Sequence, residues 1–247
     1  MMIMKIVYKI NYILSITTNF KSLNFLFKIK NMNDSINSQR INYLPFHTKA
    51  FWDELYSKWG KETINWYFDL TKLDFTEFSV KNLNTNDEIF IIGPGNCSLL
   101  DYLYKNNFEN VCLYDFSSKL IKILKEKYKK LEWEIEERDV TLLEKITGEL
   151  FSVIIDKVCL DCILSDPKYG EEKFVKTLDF LVFSLVQNGI FYYFSNGKIE
   201  NRINLFYRVP GIKYKVETID MNLNLKEEFK EFNQNDNIYY LYIITKE

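Results

Sequence analysis

Ile89-Phe90-Ile91-Ile92-Gly93-Pro94-Gly95 is the stretch of sequence that decides the fold. Four consecutive apolar residues predict a buried strand of the kind found inside a parallel sheet. Glycine has no Cβ, so the backbone can turn sharply at Gly93 and Gly95, and a ligand can come close to it. The residues that follow, from Ser98 to Leu103, predict a helix whose first N–H groups face whatever lies over the turn. Strand, glycine turn and helix together indicate a nucleotide-type site at the carboxyl end of a parallel sheet.

A second apolar run, Val111-Cys112-Leu113-Tyr114, follows the first helix, and Asp115 closes it. Asp115 lies about 20 residues beyond the glycines, the spacing at which an acidic side chain can bind ribose hydroxyls. The same aspartate also fits a helix cap before Ser117. The dinucleotide pattern Gly-x-Gly-x-x-Gly is broken by Ser98, which argues against a nicotinamide cofactor and leaves other adenosine ligands open.

Composition limits the other possibilities. The net charge of −2 and the pI of about 5.7 give no global basic field, so nucleic acid is not an expected partner. The chain has one histidine, His47, which removes most histidine-based catalysis and metal binding. Cys159 and Cys162 have the spacing of half a zinc site or a redox pair, but no second pair exists, so reduced thiols and no metal site are predicted.

The N-terminal extension, residues 1–47, precedes a predicted α/β domain at 48–247. Residues 1–33 contain lysines among apolar residues and no acidic residue, which is compatible with a mitochondrial presequence or a signal anchor. Met32 is an alternative start. The apolar run is broken too often to predict stable membrane insertion. We expect a cytoplasmic protein, or a mitochondrial one if residues 1–33 act as a presequence.

From residue 48 onward, apolar periodicity predicts a helical cap at 48–80 and then strands that alternate with helices. This alternation predicts a doubly wound, mostly parallel sheet with helices on both faces. The last two strands have no helical pattern between them and should therefore pair antiparallel. The predicted helices are 48–59, 63–72, 99–106, 117–131, 142–146 and 173–186; the predicted strands beyond residue 115 are 133–136, 151–155, 190–194, 214–219 and 238–245.

A seven-stranded sheet that ends in an antiparallel hairpin is the Rossmann-like arrangement of class I S-adenosylmethionine-dependent methyltransferases. The sequence resembles the methyltransferase-like family that contains the lysine methyltransferases of translation elongation factor 1-alpha. Four motifs carry the resemblance: Phe51-Trp52-Asp53-Glu54-Leu55-Tyr56 with Asn65-Trp66-Tyr67, Ile92-Gly93-Pro94-Gly95-Asn96-Cys97, Val153-Ile154-Ile155-Asp156-Lys157-Val158-Cys159-Leu160-Asp161, and Tyr240-Leu241-Tyr242-Ile243-Ile244-Thr245-Lys246.

The resemblance implies S-adenosyl-L-methionine as the cofactor and assigns residues to its parts. Gly93, Gly95 and the main chain of Lys157 would line the methionine part, and Asp115 would bind the ribose. Phe116, Asp139 and Val140 would contact the adenine. An aromatic lid of Trp52, Tyr56 and Trp66 would close over the cofactor, which is reasonable because π faces attract the sulfonium cation.

The resemblance also implies a protein substrate, with elongation factor 1-alpha as the expected one. A lysine acceptor must lose its proton before methyl transfer, and Asp156 or Asp161 could orient the amine or accept that proton. For Asp161, a helix-start or loop contact is the alternative interpretation.

Several residues depart from the family pattern. An acidic residue is often found two places before the first glycine, where this chain has Ile91; Pro94 and Cys97 replace the family's Cys and Ser. Val158 replaces the Gly of Asp-Lys-Gly and would hinder a positive φ angle there. These changes support a second hypothesis, a catalytically impaired binding or assembly subunit with this fold. A small-molecule or RNA methyltransferase is a third, and the acidic pI disfavours the RNA version.

Overall fold

The structure is a computed structural model that describes residues 45–73, 76–144, 150–220 and 238–246. The chain divides into two compact units. The larger comprises residues 45–65, 69–219 and 239–247, and the smaller comprises 1–44, 66–68 and 220–238. Nearly all of the predicted extension at 1–47, with its possible presequence, therefore lies outside the described residues, and the domain boundary at residue 48 stays a prediction.

A seven-stranded sheet forms the centre of the larger unit, with strand order β3-β2-β1-β4-β5-β7-β6. Strands β1 to β5 pair in parallel, and β7 pairs antiparallel with β5. This confirms the predicted Rossmann-like fold class, including its antiparallel C-terminal part. The strands are β1 (Ile89–Ile92), β2 (Val111–Asp115), β3 (Glu134–Glu137), β4 (Phe151–Lys157), β5 (Leu185–Ser195), β6 (Ile212–Asp220) and β7 (Ile238–Lys246).

The core explains why β1 is apolar at every position. All four residues of β1 are buried, as expected for a strand covered on both faces. Phe90 belongs to a core cluster that also contains Ile154 of β4, Phe191 of β5 and Tyr242 of β7. The apolar run Ile89–Ile92 is thus the middle of the sheet.

Six helices accompany the sheet in the described part of the chain. The first, α1, buries Trp52, Leu55 and Tyr56 on one face, which fits its amphipathic pattern. Helices α1 and α3 contact each other, and so do α4 with α5 and α5 with α6. The helices are α1 (Lys49–Trp59), α2 (Ser98–Lys105), α3 (Ser118–Lys127), α4 (Cys159–Leu164), α5 (Gly170–Phe183) and α6 (Ile203–Phe206).

The predicted helix at 63–72 was wrong. Only a single 3₁₀ turn forms there, at Leu70–Lys72. Tyr67 has a φ of 61°, which interrupts any helix. Two polar side chains also take other partners: Asn65 Oδ1 accepts a hydrogen bond from the Ser98 N–H (3.0 Å), and Asp69 Oδ1 accepts one from the Thr71 N–H (3.0 Å). The aromatic spacing was helical, but the long-range bond of Asn65 and the local bond of Asp69 favour an irregular chain.

Three further differences concern short segments. The predicted helix at 142–146 is a 3₁₀ turn at Val140–Leu142, and residues 145–149 lie outside the described residues. Strand β5 begins earlier than predicted, because the turn at Asn188 (φ 65°) is an irregularity within its pairing to β4. Helices α4 and α6 were not predicted, since each is too short to show a period.

The strand order positions the site. The chain runs from β1 outward to β2 and β3, and then returns to place β4 on the other side of β1. The order therefore reverses between β1 and β4, and ligands of such sheets bind outside the carboxyl ends of the strands at this point. The residues at these ends are Gly93 after β1, Asp115 at the end of β2, and Lys157 at the end of β4.

Candidate functional site

The glycine turn after β1 needs glycine for backbone reasons. Gly93 and Gly95 have φ angles of 50° and 59°, in the left-handed region. A Cβ on Gly93 would lie 2.8 Å from the Cβ of Cys159, and one on Gly95 would lie 3.2 Å from the hydroxyl oxygen of Tyr56. The turn therefore brings α1 and α4 close to the carboxyl end of β1, as a ligand site at this edge would need.

Asp115 is the buried carboxylate of the site, with 7% of its surface exposed. Its Oδ1 accepts a hydrogen bond from the Ser117 N–H at 2.8 Å, which also fits the alternative helix-start interpretation. Its Oδ2 accepts none from the residues that the structure describes. Burial raises the pKa of Asp115 from its ordinary value of 3.8 to about 7. An oxygen without a donor in so dry a place suits a ligand that brings hydroxyl groups.

Asp139 and Val140 follow β3 and start a 3₁₀ turn. Asp139 Oδ1 accepts hydrogen bonds from the N–H (2.9 Å) and the hydroxyl (2.7 Å) of Thr141. Within the described part of the chain, the other Asp139 oxygen has no donor. Val140 is buried, and Phe116 is half-buried after β2. All three stand at the same sheet edge as Asp115, since the ends of β2 and β3 are paired.

Asp156, near the end of β4, is fully buried and holds the start of α4. Its Oδ1 accepts a hydrogen bond from the Cys159 N–H (2.7 Å), and its Oδ2 accepts one from the Leu160 N–H (2.9 Å). Burial raises the pKa of Asp156 well above its ordinary value. Because it accepts both of these N–H groups, Asp156 fixes the first turn of α4 against the sheet. The neighbouring Lys157 is also buried, which lowers the pKa of its ammonium group.

Val158 has the left-handed backbone that the family's glycine would favour. Its φ is 88° and its ψ is −26°, although valine is branched at Cβ. The replacement of glycine has thus not removed the turn, contrary to the expectation that valine would hinder a positive φ. The cost is a strained residue between Lys157 and α4.

Asp161 lies in a buried polar network after β4 and β5. Its carboxylate accepts hydrogen bonds from the hydroxyls of Tyr193 (2.5 Å) and Ser195 (2.7 Å). The Arg202 guanidinium donates to it at 2.9 Å, with side chains only 12% and 8% exposed for Arg202 and Asp161. Burial and the Asp161 charge raise the pKa of the Tyr193 hydroxyl. This geometry agrees with the alternative interpretation of Asp161 as a structural contact.

Of the three residues of the predicted aromatic lid, Trp52 and Tyr56 lie together on α1. The rings of Trp52 and Tyr56 stack on α1 with their centroids 5.8 Å apart. Tyr56 is buried against the glycine turn, and burial raises the pKa of its hydroxyl. Trp66 belongs to the smaller unit, so its role over the cofactor stays a prediction.

Together these residues fit the cofactor that the resemblance implies. Asp115 Oδ2 suits a ribose diol, the second oxygen of Asp139 suits an adenine amino group, and the two glycines leave the backbone accessible. In the described ranges, no group of three or more His, Cys, Asp and Glu residues could hold a metal ion. Cys97, Cys112, Cys159 and Cys162 are free thiols, and burial raises the pKa of Cys159 and Cys162, which disfavours thiolate chemistry.

Sequence reasoning missed two groups of residues around the site. Lys49 and Asp53 contact the turn after β2, and their spacing of four on a predicted helix could have indicated an ion pair. Arg202, Tyr193 and Ser195 had no such signal, because Arg202 lies far from Asp161 in sequence and in a segment without periodicity.

The fold has known counterparts among solved structures. A proposed S-adenosylmethionine-dependent methyltransferase from Listeria monocytogenes matches 68% of this chain and 95% of its own, with a TM-score of 0.50 and 12% identity. The chain thus has the class I methyltransferase fold.

Part of the chain is also similar to curated proteins. The eEF1A lysine and N-terminal methyltransferase of Mus musculus is 29% identical over 133 residues, or 51% of this chain. The Homo sapiens protein of the same name is 27% identical over 146 residues, or 56% of this chain. The chain covers about a fifth of these relatives, 19% and 20% of their lengths. No family model matches the chain. The resemblance inferred from the motifs is confirmed.

Proposed function

We propose that this protein is an S-adenosylmethionine-dependent methyltransferase that methylates a lysine of a protein substrate. The observation that carries the proposal is Asp115, a buried carboxylate with one oxygen left for a ligand, next to a glycine turn with two positive φ angles. The strand order places this pair at the point where such sheets bind ligands. The similarity to eEF1A lysine and N-terminal methyltransferases supports the same class of reaction.

In this proposal the chain's own residues bind and orient the cofactor. Asp115 accepts from the ribose, Asp139 accepts from the adenine amino group, and Phe116 and Val140 cover the ring. Gly93, Gly95 and the Lys157 main chain approach the methionine part, with Trp52 and Tyr56 as the lid. When bound, the cofactor supplies an electrophilic methyl group, so that positioning of the acceptor provides most of the acceleration.

The roles proposed for Asp156 and Asp161 are positional. Both oxygens of Asp156 accept backbone N–H groups, and Asp161 already accepts from Arg202. Because both oxygens of each carboxylate already accept hydrogen bonds, neither carboxylate presents a free oxygen to the acceptor amine. We therefore infer that they orient α4 beside the acceptor amine and that burial of the amine favours its neutral form.

Elongation factor 1-alpha is the substrate that we propose, because the relatives are named for it. Among the described residues no helix is long and apolar enough to cross a membrane. A cytoplasmic location, with mitochondria as the alternative, stays a prediction.

A second candidate is a binding or assembly subunit that keeps the fold and has lost catalysis. Strained Val158 favours it, because this residue stands where the similar enzymes have glycine beside the acceptor region. This candidate predicts cofactor binding without methyl transfer, or no binding at all.

Calorimetric titration of S-adenosylmethionine into the folded full chain tests the proposal. We expect micromolar binding, and for Asp115→Ala a loss of about tenfold or more, since a charged hydrogen bond contributes about 1.5–3 kcal/mol. A labelled-methyl assay on purified elongation factor 1-alpha should then show transfer to lysine. Binding without transfer to any protein would favour the second candidate, and unchanged affinity of Asp115→Ala would exclude the cofactor site described above.

A further inference from the structure

Two charged side chains in the first turns of α1 contact the turn that follows Asp115. Lys49 Nζ donates a hydrogen bond to the Phe116 carbonyl oxygen at 2.7 Å. It also lies 3.0 Å from Asp53 Oδ2 and 3.1 Å from Glu137 Oε1 at the end of β3. Asp53 Oδ1 accepts a hydrogen bond from the Ser117 hydroxyl at 2.7 Å. One ion pair of α1 thus reaches both residues that follow Asp115.

Ser117 links this ion pair to the buried carboxylate. Its N–H donates to Asp115 Oδ1, and its hydroxyl oxygen accepts from the Leu120 N–H at 3.3 Å as the cap of α3. Its hydroxyl proton points to Asp53. Ser117 is fully buried, and its hydroxyl both donates and accepts a hydrogen bond. The rotamer of Asp115 is therefore fixed through Ser117 by Asp53 of another helix.

We propose that Asp53 and Lys49 are positioning residues for the cofactor: they hold the turn 115–117 in the conformation in which Asp115 binds the ribose. This inference rests on the proposed function. The pair is partly exposed, with side chains 24% and 44% accessible, so its contribution to stability is small. Its effect lies instead in orientation, because losing it frees the Phe116 carbonyl and the Ser117 hydroxyl together.

The same helix offers a matched control. Glu54, the next residue after Asp53, pairs with Lys58 at 2.7 Å at the same i, i+4 spacing but with the charges in reverse order, and both side chains are 46% exposed. This pair makes no bond to the turn 115–117. Asp53→Ala and Glu54→Ala each remove one carboxylate and one ion pair from α1, and alanine favours helix in both. Only the first should affect the cofactor.

Calorimetric titration of S-adenosylhomocysteine into wild type and both variants tests the proposal. We expect Asp53→Ala to raise the Kd about threefold to tenfold, the worth of one or two hydrogen bonds, and Glu54→Ala to leave it within about twofold. With saturating S-adenosylmethionine the kcat of Asp53→Ala should equal that of wild type, so that only the KM for the cofactor rises. Lys49→Met provides a second variant if Asp53→Ala fails to fold.

A double-mutant cycle separates positioning from general weakening. Since Asp53 acts through Asp115, Asp53→Ala should have little further effect in an Asp115→Asn background. Equal Kd values for wild type and Asp53→Ala, or fully additive losses in the cycle, would overturn this inference alone. If wild type binds no S-adenosylhomocysteine, the proposed function fails and this inference fails with it.

Discussion

Val158 is a β-branched residue in a backbone conformation that favours glycine, with φ of 88° and ψ of −26°. It follows Lys157 and precedes the first residue of α4, where the chain must turn from strand to helix. Asp156 holds that turn by accepting two backbone N–H groups of α4. The surrounding bonds therefore impose the conformation, and the Cβ of Val158 opposes it.

The free-energy cost of the left-handed conformation at residue 158 follows from comparing the stabilities of Val158→Ala and Val158→Gly. Both variants lose the same two buried methyl groups, so their difference reports on the Cβ alone. A left-handed conformation costs a residue with Cβ about 1–2 kcal/mol. Glycine loses about 0.5–1 kcal/mol through its greater freedom in the unfolded chain. We therefore expect Val158→Gly to be more stable than Val158→Ala by about 0.5–1 kcal/mol.

Urea unfolding of the two variants, followed by circular dichroism, measures this difference. Ala50 provides the control, because it lies exposed in the right-handed α1. Ala50→Gly should destabilise the chain by about 0.5–1 kcal/mol, the opposite sign. If Val158→Gly is less stable than Val158→Ala by the amount that Ala50→Gly loses, the strain argued for Val158 does not exist.

Two other perturbations test the charged groups. Arg202→Met should destabilise the fold by about 3–5 kcal/mol in urea unfolding, because it leaves Asp161 buried without its cation. Arg208→Met is the control: Arg208 is about half exposed in its ion pair with Glu171, so its loss should cost less than about 1 kcal/mol. Cofactor affinity should be about tenfold higher at pH 8 than at pH 6 by calorimetry, because Asp115 ionises with a pKa of about 7, and Asp115→Asn should remove this dependence. Its raised pKa also means that the contribution of Asp115 to stability falls as the pH rises from about 4 to about 7.

The elements that sequence predicted well are those with long periodic or continuous apolar patterns. Strand β1 and helix α3 were placed to within a few residues, because burial requires apolar side chains at fixed intervals. The helix at 63–72 failed for the opposite reason. Its aromatic residues have helical spacing, but the two hydrogen bonds that Asn65 accepts from Ser98, 33 residues away, override the local preference.

Asp115 and Asp161 show the same contrast between a residue that the sequence could place and one that it could not. The position of Asp115 at the end of a strand after a glycine turn could be predicted, because strand ends in a parallel sheet share one edge. The surroundings of Asp161 could not, since Arg202 reaches it from 41 residues away. Its two interpretations, catalytic group or structural contact, look identical in a sequence.

The sequence by itself therefore determined the alternation of strands and helices, the glycine turn and the acidic residue beside it, because these depend on periodicity and on the special backbone freedom of glycine. Only the tertiary structure decided that Val158 keeps a glycine-like conformation, that Arg202 neutralises Asp161, and that α1 reaches the turn 115–117 through Asp53. These are contacts between segments distant in the chain, and their geometry exists only after the sheet has brought the segments together.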